Sequence, residues 1–400
     1  MDPVRNPYAP GAGQRPPELA GRDEQLAAFD VTLERVAHGR PERSVVLTGL
    51  RGVGKTVLLN AQRSAAVRAD WGTGKLEARP DQPLRRPLAS ALHMAIRELG
   101  HPQSDDVLGT VKAFAARDAG SGRMRDRWNP GIDVPATTGR ADSGDMEIDL
   151  VELLTDLGGL AADVGRGVAI FVDEMQDLRP EDVSALCAAC HELSQNRLPV
   201  VVVGAGLPHL PAVLSASKSY SERLFRYSRV DRLDREAADR ALVSPAHDEG
   251  VEFTPGALAE MYAATAGYPY FVQAYGKAVW DAAAGSPITV DDVRVAAPEA
   301  EEELGVGFFG SRFERATPAE REYLRAMAET AVADRAGEVE AGEPDSVPTA
   351  AVAAHLHRKP QSLSPARDAL LKKGLIYSGE RGRIAFTVPH FGRYLRATAG

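Results

Sequence analysis

The sequence predicts a three-layer α/β core built on a parallel sheet, followed by a helical domain and a smaller C-terminal domain. Three observations carry that prediction. A short β-rich run at 43–48 and apolar runs at 168–172 and 199–203 read as strands, the latter two continuous rather than alternating, as in strands buried on both faces. Helical periodicity fills stretches between them, the order expected of a sheet wound with crossover helices. After Leu233 helical segments follow one another, at 235–243, 255–265, 270–284 and 290–303.

The chain has 400 residues, more than one small core needs, so two or three domains are expected. No run of about 18 apolar residues is present, which predicts no membrane span. Residues 1–18, rich in Pro and Gly, lack the apolar segment of a signal peptide and are expected to form a disordered leader. A cytoplasmic protein is the resulting expectation. Cys187 and Cys190 fall at helical spacing within 181–196 and read as small buried side chains rather than metal or haem ligands.

Within the core, 75–78 is a candidate second strand after a glycine turn at 72–74. Residues 120–144, rich in Gly, Pro, Asp and Arg, read as a flexible insertion, and 145–164 as a helix. The stretch 329–345 holds six acidic residues and one Arg and reads as an exposed loop. The expected domains are a core at 19–233, a helical domain at 234–307, a linker with a further helix and acidic loop at 308–345, and a basic end at 346–400.

Charge sharpens the last boundary. The whole chain carries −9, which argues against general attraction to nucleic acid. From Ser346 to Gly400, however, nine basic residues face only Asp368 and Glu380, a net of +7, leaving −16 on the rest.

The chemistry is concentrated in one loop. Gly49-Leu50-Arg51-Gly52-Val53-Gly54-Lys55-Thr56 fits G-x-x-x-x-G-K-[ST] at every position. Glycines let backbone N–H groups turn inward around an anion, assisted by the helix N-terminus that follows, from Lys55 through Val57. Lys55 is expected to neutralise the β- and γ-phosphates of ATP, and the Thr56 hydroxyl to ligate Mg²⁺. The run 168–172 then delivers Asp173 and Glu174 to the end of a strand, where ligands of parallel sheets collect. Asp173 is expected to hold Mg²⁺ through water, and Glu174 to polarise the water that attacks the γ-phosphate. The fold class is therefore a P-loop NTPase core.

An Asp-Glu pair after this strand resembles the additional-strand P-loop ATPases, the AAA+ and STAND groups. The run 172–178 is similar to archaeal-type ATPases related to replication initiators. Leu19 to Leu26, with Gly21 and Arg22, resembles the entry motif beside adenine in that group; 200–206 takes the place of its sensor strand. Gly267-Tyr268-Pro269 resembles the Gly-x-Pro element of its helical lid, which implies that 234–307 is that lid and that Pro269 approaches the base. The resemblance spans roughly 19–285. It implies ATPase activity with ATP and Mg²⁺, and Arg223 or Arg226, in the helix before a strand at 227–233, as an arginine finger for a neighbouring copy. Two departures imply slow hydrolysis. The sensor strand ends Gly204-Ala205-Gly206 without a polar side chain, and the lid element carries no sensor arginine.

At the C-terminal end, helices are read at 317–328 and 349–356, with a third opening at Ser364-Pro365 and ending at 373–374. Strands at 375–377 and 383–388 flank a hairpin turn. Helix, helix, helix, hairpin is the order of a winged helix, a module also frequent in initiator-type ATPases. In that fold the third helix enters the major groove of duplex DNA and the wing touches its backbone. Arg358, Lys359, Gln361, Ser362, Ser364 and Arg367 are then the candidate helix contacts, and Arg381 and Arg383 the wing contacts. The expected protein is an ATP-controlled switch with a DNA-binding output; the rival is an ATP-gated signalling scaffold whose C-terminal module meets a protein partner.

Overall fold

A computed structural model describes residues 1–11, 13–80, 82–117, 131–334, 346–378, 382–388 and 390–398. It divides into two compact units, one of residues 22–49 and 55–230, the other of residues 1–21, 50–54 and 231–400.

The first unit is a five-stranded parallel sheet, β1 (Ser44–Thr48), β2 (Gly72–Glu77), β3 (Val168–Asp173), β4 (Val200–Gly206) and β5 (Phe225–Arg229), in the order β2-β3-β4-β1-β5. The helices of this unit are α1 (Asp23–Ala37), α2 (Lys55–Arg68), α3 (Arg85–Leu99), α4 (Ser104–Ala116), α5 (Met146–Asp163), α6 (Pro180–Gln195), α7 (Leu210–Ser217) and α8 (Ser221–Leu224). β1, β3 and β4 are buried at every residue, as their mostly apolar sequences favour. Their side chains share a core with Leu92 and Ile96 of α3, Leu153 and Leu157 of α5 and Leu186 of α6.

Three expectations are corrected in this unit. The glycine turn at 72–74 is itself the start of β2. A Cβ at Gly72 would stand 2.6 Å from the Ala95 carbonyl oxygen, and one at Gly74 equally close to that of Ala91. These glycines let α3 lie directly on the strand, a role that composition disguises as a turn. β5 begins at Phe225, so Arg226 is a strand residue and only Arg223 stands on the preceding helix. The insertion is packed where it is described: Ile132 and Ala141 are buried, and Lys112 Nζ donates to the Ile132 and Val134 carbonyls at 3.1 and 2.8 Å. Its residues 120–130, like 335–345 of the acidic loop, lie outside the described residues.

A buried ion pair ties α3 to α5. Arg85 of α3 reaches Asp149 of α5 at 2.7 Å, with both side chains almost wholly enclosed. Ser143 gives Asp149 two further hydrogen bonds, from N at 2.8 Å and from Oγ at 2.6 Å. Burial pushes the Asp149 carboxyl upward, but the Ser143 hydroxyl and the Arg85 guanidinium outweigh it and hold the group below its usual range.

The second unit contains α9 (Arg235–Asp248), α10 (Pro255–Thr265), α11 (Pro269–Ala282) and α12 (Val290–Leu304), close to the helices expected. A π-helical turn, Gly305–Gly310, leads into α13 (Ser311–Glu314) and α14 (Pro318–Asp334). Then come β6 (Ser346–Pro348), α15 (Thr349–His355), α16 (Pro360–Lys372), β7 (Ile376–Tyr377), β8 (Arg383–Phe386) and α17 (Phe391–Ala397). The strands form an antiparallel sheet in the order β6-β8-β7; β6 was not expected. α16 starts at Pro360, earlier than expected. Pro360 sits at its first turn, while Pro365 lies inside, where its missing N–H forfeits only a bond to the first turn.

Residues 234–307 and 346–400, expected as separate domains, belong to one unit. Tyr268 Oη donates to the Thr387 carbonyl at 3.3 Å, and His390 Nε2 lies 2.8 Å from the Ala264 carbonyl. The leader, expected to be disordered, is a strap on the same helices. Asn6 Nδ2 donates to Asp281 at 2.8 Å, and buried Tyr8 donates to the Leu242 carbonyl at 2.6 Å. Gly276 makes room for the Tyr8 ring, which a Cβ would meet at 2.8 Å. Proline and glycine set the leader's composition, but one buried tyrosine sets its position.

Candidate nucleotide site

β1 ends at Thr48, and Gly49 N donates to the Gly206 carbonyl at the end of β4, 3.2 Å away. α2 begins at Lys55, so residues 49–54 turn a buried strand into a helix. The turn is made by Gly52 at φ +85° and Gly54 at φ +91°, a region other residues enter only with strain. Lys55 is 8 % exposed, and its Nζ donates to the Gly49 carbonyl at 2.9 Å. A buried ammonium demands an acceptor, and a neutral carbonyl satisfies it less well than a phosphate oxygen would. Thr56 and Val57 follow in the first helical turn, half-buried.

At the same edge of the sheet β3 ends at Asp173, 5 % exposed, whose Oδ1 accepts the Glu174 N–H at 3.0 Å. Glu174 has φ +49°, a left-handed conformation that a non-glycine residue holds only where the surroundings impose it. Gln176 was not anticipated. Its Nε2 donates to Glu174 Oε2 at 2.6 Å, while its Oε1 accepts the Leu207 N–H at 3.1 Å, just beyond β4. A Cβ at Gly206 would stand 2.8 Å from that Oε1. An amide from the turn after β3 thus stands at the end of β4, where the strand itself carries no polar side chain. The available signal was an amide two residues beyond Glu174.

These residues fit Mg²⁺ and ATP. Two glycines in the conformation an anion nest needs, a buried lysine that donates to its own loop, and a nearly buried carboxylate at the strand end are the required donor set. Asp173 and Thr56 would hold the metal, Lys55 and the loop the phosphates. Among the described residues no group of three or more His, Cys, Asp or Glu is poised around a metal.

Of the remaining candidates, Gly21 and Pro269 lie on segments that meet at Leu233, whose N–H donates to the Gly267 carbonyl at 2.8 Å. Gly21, at φ +67°, packs toward Leu233 and Ala237, and Pro269 opens α11. Arg22 is buried and directly precedes α1. Arg226 donates to the Ala28 carbonyl and to Thr32 Oγ1 of α1, at 3.3 and 3.2 Å, so its guanidinium is engaged inside its own unit. Arg223 is exposed.

Of the candidate DNA contacts, Arg358 pairs with Glu322 at 3.0 Å and Arg367 with Asp368 at 3.0 Å. Arg383 is half-buried and donates to the Ser346 carbonyl at 2.7 Å, so it braces β6 against β8. Lys359, Gln361 and Ser362 are exposed at the start of α16, Ser364 less so, and Arg381 lies outside the described residues.

Comparison with known proteins agrees with this geometry. Residues 18–203 match the AAA ATPase domain family. That match holds the phosphate loop, Asp173 and Glu174. Residues 306–395 match a domain of unknown function, DUF8462. No curated protein matches the chain. Among solved structures, a Walker-type ATPase of Pyrococcus abyssi is similar in fold, with TM-score 0.61, 16% identity, and 96% of this chain and 97% of that one covered. Cdc6p of Pyrobaculum aerophilum, at TM-score 0.47 and 15% identity, covers 99% and 97%. The RuvB Holliday junction branch migration motor of Thermotoga maritima, at 0.44 and 18%, covers 94% and 96%. Among the described residues no helix is long and apolar enough to cross a membrane.

Proposed function

We propose that the chain is an ATP-binding, slowly hydrolysing switch whose nucleotide state controls its basic C-terminal module. The observation that carries this reading is buried Lys55, folded back onto Gly49 in a glycine loop at the edge where Asp173 and Glu174 emerge. When bound, Mg²⁺ and ATP supply a charge-neutralised γ-phosphoryl group. Lys55 then exchanges its carbonyl for phosphate oxygens, and Glu174 orients the attacking water as general base. Gln176, already on Glu174, fixes that carboxylate and takes the place of the absent sensor side chain. Arg223 is the better-placed candidate to reach a neighbouring copy, since Arg226 is occupied by α1.

The output we infer is duplex DNA, contacted by a winged-helix module. Its support is the net +7 of residues 346–400 and the exposed cluster Lys359, Gln361 and Ser362 where α16 begins. A protein-binding output is the second reading, favoured by the ion pairs that already engage Arg358 and Arg367. Anisotropy of random duplex DNA with ATP-loaded Glu174→Gln protein separates them. A DNA module binds in the micromolar range, weakens steeply with salt and loses affinity in Lys359→Ala. No binding at low salt removes the DNA output and leaves the ATP site standing.

A further inference from the structure

Within the second unit, the middle of the phosphate loop, residues 50–54, packs against the start of the DUF8462 segment. A Cβ at Gly52 would stand 3.2 Å from Phe308 Cζ and 3.9 Å from Tyr268 Cδ1. Phe308 lies on the π-helical turn Gly305–Gly310, a rare backbone form that concentrates at functional sites. Its ring is buried, stacked on Tyr270 with centroids 5.0 Å apart and edge-on to Phe271 at 5.5 Å. The Arg312 guanidinium sits 3.6 Å from the ring centroid and donates to the Phe308 carbonyl, so it engages both the ring and its backbone.

Aromatic contacts continue away from the loop. Phe308 meets Phe309 at 5.7 Å, Phe309 stacks on Phe391 of α17 at 5.7 Å, and Phe391 is edge-on to Phe386 of β8 at 5.5 Å. A close-packed interior transmits displacement rather than absorbing it. A loop that tightens around phosphate therefore moves against a buried ring packed on Tyr270, Phe271 and Phe309.

We propose that Phe308, pinned by Arg312, is a positioning residue for the phosphate loop, through which the C-terminal module takes part in ATP binding and responds to it. The proposal rests on the reading of that loop as an ATP site. Gly52 has no side chain to cover its outer surface, and Phe308 provides the cover. ATP on the loop then favours one arrangement of the ring, and α17 and β8 follow through Phe309 and Phe391.

The test compares the full chain with Phe308→Leu, which keeps apolar bulk, Arg312→Gln and Lys55→Ala. Two quantities are read: the affinity for a fluorescent ATP analogue with Mg²⁺, and ATP-dependent hydrogen–deuterium exchange at residues 383–386 and 391–397. Wild type should bind the analogue and gain protection at both segments. Phe308→Leu should weaken binding about tenfold and abolish that distal protection, and Arg312→Gln should do the same to a lesser degree. Should Phe308→Leu fail to fold, Arg312→Gln carries the comparison. Distal protection retained in the folded variants overturns the proposal at any ATP affinity, as does wild-type protection confined to the loop. Wild type that binds no better than Lys55→Ala is a separate result: it removes the ATP reading itself, and the proposal with it.

Discussion

The strands β1, β3 and β4 are buried through Val, Leu, Ile, Phe and Ala side chains that succeed one another along the chain. In the other unit many of the largest buried side chains are aromatic and come from distant segments: Tyr8, Tyr268, Phe271, Trp280, Tyr323, Phe386 and Phe391. The first kind of core is written locally, since consecutive apolar residues form the strand that they also bury. The second depends on which rings meet, and no local pattern records that. Asp173 and Glu174 follow from the first kind, while Gly52, within the second unit, meets a ring of the second kind.

The comparison can be broken first in the sheet unit. Arg85→Ala leaves Asp149 buried without its cation and should cost about 3–5 kcal/mol in urea unfolding. A loss under about 1 kcal/mol would mean that the pair does not organise α3 against α5. In the other unit Tyr8→Ala should cost about 3 kcal/mol and expose the strap to proteolysis, as expected for removing a buried ring and its hydrogen bond. An unchanged digestion pattern would return the leader to the disordered state its composition suggests.

Gly74→Ala should cost about 1–3 kcal/mol, because the new methyl meets the Ala91 carbonyl of α3. A neutral substitution would show that α3 can lift off β2. The pH dependence is smaller. Asp149 titrates lower in the folded state than unfolded, so its contribution is fully present above about pH 4 and is lost as pH falls through the folded value. Asp149→Asn should flatten the acid limb of stability against pH; an unaltered limb would assign it to other carboxylates.

The same contrast explains what was legible in the sequence. The phosphate loop, the acidic strand end and most helices of the second unit could be read because their chemistry or periodicity is local. Glycines 72 and 74 misled because their reason lies in α3, not in the neighbouring residues. Gln176 was missed because its contacts form only when the ends of β3 and β4 lie side by side. Arg383 reads as a wing cation, and its bond to the Ser346 carbonyl shows only once β6 pairs with β8. Phe308 carried no signal at all, since a ring covering a distant glycine leaves no spacing to detect.

The central claim, that this loop binds Mg²⁺ and ATP through Lys55, is tested most directly by calorimetric titration of ATP into wild type and Lys55→Ala. Removing the buried ammonium should weaken binding by about a hundredfold or more, roughly 3 kcal/mol, without altering the unfolding transition of the nucleotide-free protein. Equal affinities, or no ATP binding by wild type, would contradict the account.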